Sequence, residues 1–301
     1  MSTTPTPTPT TTPTTSAPPM QASDWLRLVA PGLMWGTSFL FIAEGLKAFP
    51  AAMITPMRLG IGFCVLSLFP ATRRHIPWAD LKKIALLGVV WMAVPLTMFP
   101  FAEQHVSSSV TGMLNGATPL FVAAVAAFLA RRLPPQRQML GLLVGSIGVA
   151  CIALPTLGEG SSSALGVAEI IFALMCYGVA LNMAVPLQQR YGSLPVLWRA
   201  QAVAFVLTAP VGLTTLGNVH FAWRPMLAII GLGVLGTSFA YVLAADNAGR
   251  LGSTRASVTT YVIPVVSLLL GALVRNETVA VLSVIGCALA LFGAWLAGRR
   301  H

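Results

Sequence analysis

Charge is what this sequence has least of. Only 9% of its 301 residues are Asp, Glu, Lys or Arg, against roughly 25% in a soluble domain. Acid is scarcest, with 8 carboxylates against 18 basic side chains. So few charges cannot cover a water-exposed surface of this size, and lipid must solvate most of the chain. The four cysteines, Cys64, Cys151, Cys176 and Cys287, form no CxxC and lie inside apolar runs, as small buried hydrophobes do. His75, His105, His220 and His301 show no metal-ligand spacing, so no metal site and no cofactor is expected. There is no HExxH, no GxxxxGK[ST] and no GxSxG at a strand–helix turn, so no catalytic residue is nominated. The net charge of +10 does not point to nucleic acid. Its basic residues stand in short clusters between apolar runs rather than along one face.

What is present is apolar sequence, 56% of the chain. It divides into ten stretches near the length of a membrane-crossing helix, at about 26–46, 51–70, 82–102, 107–130, 137–155, 165–188, 194–214, 225–246, 253–274 and 278–297. The expected class is an all-α integral membrane protein. The short joints Phe49-Pro50, Leu133-Pro134-Pro135 and Arg275-Asn276-Glu277 make neighbouring helices antiparallel. Ahead of them, residues 1–24 form a Thr/Pro-rich tail expected to be disordered. The tail has neither the basic start nor the apolar stretch of a signal peptide.

The chain also repeats itself. Ser107 to Ala130 is small and polar before Pro119 and apolar after it, and the same pattern returns around Pro264. Pro264 follows Pro119 by 145 residues. At that offset Ser108 falls on Ser253, Asn115 on Thr260, Gly88 on Gly233, Gly141 on Gly286 and Gly148 on Gly293. A column of matches in phase over most of the chain is an internal duplication, with copies over 25–155 and 165–297. Loop charge sets the orientation. With the N-terminus inside, the inner loops and ends hold Arg73, Arg74, Lys82, Lys83, Arg131, Arg132, Arg137, Arg190, Arg250, Arg255, Arg299 and Arg300. The outer loops hold only Lys47, Arg224 and Arg275. This asymmetry predicts both termini in the cytoplasm, and the expected location is the inner (plasma) membrane, crossed many times. Five helices per copy is an odd number, so the second copy is inverted. Inverted repeats are a transporter signature.

Trp35-Gly36-Thr37-Ser38-Phe39, Tyr177-Gly178 in the second copy, and the Ser/Ala-rich runs into Pro119 and Pro264 carry a resemblance. Together with the ten spans, they resemble the EamA-type branch of the drug/metabolite transporter superfamily, over about residues 25–297. The resemblance implies carriage of small metabolites, often amino acids, by alternating access, with the aromatic amino-acid exporters as a plausible subgroup. The alternative is efflux of drug-like or other metabolite compounds. A channel and an intramembrane enzyme are further alternatives. The expected partners are a small-molecule substrate and the lipid bilayer, with no nucleic acid, and the expected assembly is a monomer.

A carrier of this build binds substrate near mid-membrane between its halves. Counting to the middle of each span nominates Trp35, Thr37 and Ser38; Trp91 and Met92; Asn115 and Thr118; Tyr177 and Asn182; Ser238 and Tyr241; and Thr260 and Tyr261. Rings offer flat apolar contact, while amides and hydroxyls orient polar groups. Any single Ser or Thr among them serves equally well in helix packing. Pro119 and Pro264 are candidate hinges, since each removes a backbone hydrogen bond from its helix. Arg58 and Arg199 occupy matching places and are expected to snorkel to the headgroups. The alternative role for them is a gate or a carboxylate anchor. Glu44, Glu169 and Asp246 fall near span ends. Every carboxylate is therefore expected to keep an ordinary pKa, with transport not obligatorily driven by protons.

Overall fold

The structure is a computed structural model and describes residues 22–131, 133–251 and 258–298. The expected tail falls mostly outside these residues, as do Arg132, Arg255, Arg299 and Arg300. The described residues are helical with no strand, and ten helices follow one another: α1 (Ala22–Gly45), α2 (Ala51–Ser67), α3 (Trp78–Ala102), α4 (Ser108–Ala130), α5 (Gln136–Leu157), α6 (Ser161–Tyr191), α7 (Ser193–Leu213), α8 (Trp223–Leu251), α9 (Val258–Arg275) and α10 (Val281–Gly298). Eight of them are long and apolar enough to cross a membrane, and α2 and α9 are shorter apolar helices. Leu143, Phe172, Val206, Leu269 and Phe292 stand exposed along these helices. Such side chains face lipid in a chain with too little charge to be coated by water.

Proline begins several of the helices. Pro50, Pro77 and Pro135 stand at the N-cap positions of α2, α3 and α5, where their missing N–H removes no helical hydrogen bond. The ends of the helices define two faces. The joints after α2 and α4 carry Arg73, Arg74 and Arg131, the last turn of α6 carries Arg190, and together they form the basic face. The joints after α1, α3, α5, α7 and α9 form the opposite face.

The duplication seen in the sequence becomes a symmetric contact. α5 and α10 pack along their glycines. A Cβ built on Gly141 would meet Gly293 O at 2.8 Å, and one on Gly286 would meet Gly148 O at 2.7 Å. The offset that maps Gly141 to Gly286 and Gly148 to Gly293 turns each of these contacts into the other. Each copy thus makes the same contact from the opposite direction, as a two-fold axis in the membrane plane requires. Only glycine lets backbones approach this closely. Gly36 of α1 packs against Ile263 and Val266 of α9, and Gly178 of α6 against Phe121 and Val125 of α4. The fold is ten helices in two inverted five-helix repeats.

Three interruptions break the regularity. α4 stops at Asn115 and restarts at Thr118, one residue before Pro119. Gly116 at the break lies under the Pro264 ring of α9, where an added Cβ would meet Pro264 Cγ at 2.8 Å. α9 itself passes through Pro264 without a break. The other two are π-helical stretches, Val89–Ala93 in α3 and Leu232–Phe239 in α8. They begin just after Gly88 and just before Gly233, the glycines paired by the duplication. A π stretch loosens a helix and turns side chains off their regular face, and such stretches cluster at functional sites.

Candidate functional site: a cavity between the repeats

A cavity of about 260 Å³ opens where α1, α2, α3, α4, α6, α7, α8 and α9 converge. Its aromatic wall is Trp35, Phe39, Trp91, Phe99, Tyr177 and Tyr241. Tyr241 stands between two indoles, edge-on to Trp35 at 5.3 Å and to Trp91 at 5.4 Å. Phe99 links Phe39, at 5.6 Å, with Tyr177, at 5.9 Å. The Trp35 indole N–H donates to Gly236 O at 3.1 Å, inside the α8 π stretch, so the wall is braced across the two copies. The polar lining is sparse and consists of Ser38, Arg58, Asn115, Thr118, Gln188 and Thr260. Thr118 Oγ1 donates to Asn115 O at 2.6 Å, so the break in α4 presents its polar groups together.

Of the nominated residues, Trp35, Ser38, Trp91, Asn115, Thr118, Tyr177, Tyr241 and Thr260 line the cavity. The other five stand apart from it. Thr37 turns back on its own helix and donates to Leu33 O at 2.7 Å. Met92 is fully buried in the apolar core. The Asn182 amide donates to Val122 O at 3.1 Å and Gly178 O at 2.8 Å, fastening α6 to α4. Ser238 donates to Gly62 O at 3.0 Å, fastening α8 to α2. Tyr261 packs against the core. Depth along a helix is legible from sequence. Which face a residue takes depends on its surroundings: Thr37 bonds its own helix, and the other four are taken by neighbouring helices or the core.

Arg58 corrects an expectation. It is 3% exposed, so it does not snorkel. The short α2 runs only from Ala51 to Ser67, which puts Arg58 at its middle. There it faces the cavity, and its Nε donates to Thr237 Oγ1 at 3.0 Å. Arg199, its counterpart in the second copy, lies two turns from the basic-face end of α7. It donates to Thr72 O and Arg74 O, at 3.1 and 2.9 Å. Phe39, Phe99 and Gln188 were also missed. Phe99 is an ordinary core residue by type, and Gln188 sits at a span end.

The cavity lining follows α6 from Tyr177 to Gln188, within a turn of its basic-face end, and includes Ala244 and Ala245 of α8. On the opposite face the helix ends are tied together. Asn276 adopts φ 53, a left-handed conformation that Asn tolerates. It turns the chain so that Glu277 N donates to Gly271 O at 3.0 Å. The Glu277 carboxylate then lies over the start of α4. It accepts from Ser108 N and Oγ at 3.1 and 2.7 Å, from Ser109 N and Oγ at 2.9 and 2.6 Å, and from Arg275 Nε at 2.9 Å. A carboxylate at a helix N-terminus is favoured by the free N–H groups and the dipole. Burial pushes the Glu277 pKa up, but the serine and arginine donors outweigh it and hold the carboxyl below its usual range. Arg275 also reaches Glu44 at 3.4 Å, and Glu44 pairs with Lys47 at 2.7 Å and Arg224 at 3.3 Å. Seven side chains, Ser108, Ser109, Glu277, Arg275, Glu44, Lys47 and Arg224, thus join the ends of α1, α4, α8 and α9 on this face.

Glu103 is a second correction. It follows α3 on the same face, beside an open hollow of about 420 Å³ that Lys47, His220 and Arg275 also line. Both carboxylate oxygens are buried without a hydrogen-bond partner. Burial first, and then the Glu277 charge, push its pKa well above the usual carboxylate range, against opposing pulls from Arg275 and Arg58. Not every carboxylate keeps an ordinary pKa. A residue count places Glu103 in a loop, and only the folded chain shows that the loop is covered.

Comparison with known proteins agrees with this architecture. The model of the EamA-like transporter family matches twice, over residues 25–154 and 164–299. An uncharacterized transporter of Archaeoglobus fulgidus is 22% identical over 277 residues, covering 92% of this chain and 99% of its own length. A probable terminal-alkyne amino-acid exporter of Streptantibioticus cattleyicolor is 28% identical over 280 residues, 91% of this chain and 92% of its own. The uncharacterized inner membrane transporter YedA of Escherichia coli is 24% identical over 266 residues, 84% of this chain and 83% of its own. One solved crystal structure, 19% identical, superposes with a TM-score of 0.66 over 92% of this chain and 99% of its own and shares the fold.

Proposed function

The chain belongs to the EamA-like transporter family, and from that premise we propose that it is a secondary carrier exporting or exchanging small amphiphilic metabolites, amino acids first and aromatic ones among them, by alternating access. The observation that carries this reading is the cavity shared by both repeats, walled by rings and furnished with few polar groups. At about 260 Å³ it is smaller than the roughly 300–1,000 Å³ typical of drug-sized ligands, which favours a small metabolite over a drug-like compound. The probable amino-acid exporter among the relatives supports the choice of amino acids. The lining runs toward the basic face while ion pairs tie the opposite face, an arrangement that belongs to one end state of a rocking cycle. Loop charge supports a cytoplasmic basic face, and in that orientation, read for the plasma membrane, the end state faces inward.

The test is flux in reconstituted vesicles loaded with labelled amino acids, with a panel of unlabelled competitors. Saturable efflux, accelerated by amino acid on the far side, is expected. No saturable flux of any amino acid, together with saturable flux of larger drug-like amphiphiles, overturns the amino-acid reading.

A further inference from the structure

Arg58 brings a full positive charge to the middle of an apolar helix. Its side chain is buried, and a guanidinium keeps its charge in proteins. A buried charge without a partner is strongly destabilising. Yet no ion pair among the described residues includes Arg58, and its one hydrogen bond runs from Nε to a neutral hydroxyl, Thr237 Oγ1. That hydroxyl donates in turn to Leu232 O at 2.9 Å, so it is held in place as an acceptor. Of the nearby acids, Glu44 and Glu277 pair with Arg275, and Glu103, whose charge and that of Arg58 act on each other from a distance, makes no ion pair with Arg58 and lines the hollow on the opposite face. The counterpart Arg199 shows the usual way to satisfy such a group, with backbone carbonyls and a tryptophan face at 5.5 Å. Arg58 has no such set, and it borders the cavity beside Trp91, Tyr177 and Tyr241.

We propose that Arg58 is the anion anchor of the cavity and that the substrate supplies the missing counter-charge as a carboxylate. This rests on the reading of the cavity as a transport site and narrows it to solutes that carry a carboxylate. With Nε held by Thr237, the two Nη groups remain to donate to carboxylate oxygens, and the aromatic wall takes the apolar part of the solute. Carboxylic acids are then taken in preference to their amides and to the corresponding amines. A charge-assisted pair in a low-dielectric site makes that preference tenfold or more.

The experiment measures binding and uptake of matched probes by the full chain in vesicles. The probes are phenylalanine with phenylalaninamide, 3-phenylpropanoate with 3-phenylpropanamide, and phenethylamine. Wild-type protein is expected to favour the acid of at least one pair by tenfold or more. Arg58→Met is expected to lose that preference while keeping amide binding, and Arg58→Lys to keep part of it. The wild-type ratio needs no variant, so a misfolded Arg58→Met leaves the test intact. Equal handling of acids and amides by wild type overturns the anchor and leaves the carrier reading standing. So does an unchanged ratio in a folded Arg58→Met. Saturable uptake of phenethylamine with none of either acid overturns the anchor as well. Loss of saturable flux for every solute tested overturns the carrier reading itself.

Discussion

Removing the Glu277 carboxylate should open the face that it ties. In Glu277→Ala, the Ser108 and Ser109 N–H groups and hydroxyls lose their common acceptor, and Arg275 Nε loses its partner. Hydrogen bonds to a charged group are worth about 1.5–3 kcal/mol each when removed. Glu277 keeps 11% side-chain exposure, so water replaces part of the loss, and the serine hydroxyls find other acceptors. About 3 kcal/mol is a fair net figure if these bonds exist only while the face is closed, and that corresponds to roughly a 150-fold shift toward the open state. The assay uses a background in which Cys64, Cys151, Cys176 and Cys287 are replaced, with a single cysteine at Ile42, a buried position lining the cavity. An impermeant maleimide is added from the side of the opposite face. Glu277→Ala should raise the labelling rate at least tenfold, and Ser108→Ala with Ser109→Ala should give a smaller increase. An unchanged rate in a folded Glu277→Ala protein would show that these bonds do not hold the face shut.

Glu103 predicts a pH-dependent stability. Between the ordinary glutamate pKa and its raised folded value, the folded chain holds a proton that the unfolded chain has released. Stability should therefore fall as pH rises through that window and level off above it. Melting temperatures in detergent should show this slope, and Glu103→Gln should remove it; an identical slope in the variant would refute the assignment. Gly148→Leu places a side chain where Gly286 O already stands 2.6 Å from an ideal Cβ. It should destabilise the α5–α10 pair by about 1–3 kcal/mol, read as a drop in melting temperature with no change in which solutes compete. For orientation, a cysteine at Glu159 should react with an impermeant thiol reagent from outside intact cells, and one at His75 should not. The reverse pattern would turn the membrane topology over.

Ten apolar stretches, their duplication and the sign of their loops are properties of sequence. Bilayer thickness sets a helix length, a repeat offset survives in any one-dimensional comparison, and charge beside a span acts locally. The glycine column at 141, 148, 286 and 293 was legible for the same reason, since a position that admits only hydrogen must be glycine wherever its partner lies. Depth could be counted too, and it placed most of the aromatic wall. What only the tertiary structure decided is where each side chain points and what covers it. Asn182 and Ser238 share the depth of Tyr177 and Tyr241, but a neighbouring helix offers each a backbone carbonyl, and they take it. Arg58 and Arg199 match in the repeat. One sits at the middle of a short helix facing a cavity, and the other near a helix end among loop carbonyls. Glu103 reads as a loop acid until the fold buries its oxygens. Burial and pairing are made by segments distant in sequence, so the surroundings of a charge exist only once the two copies have packed together.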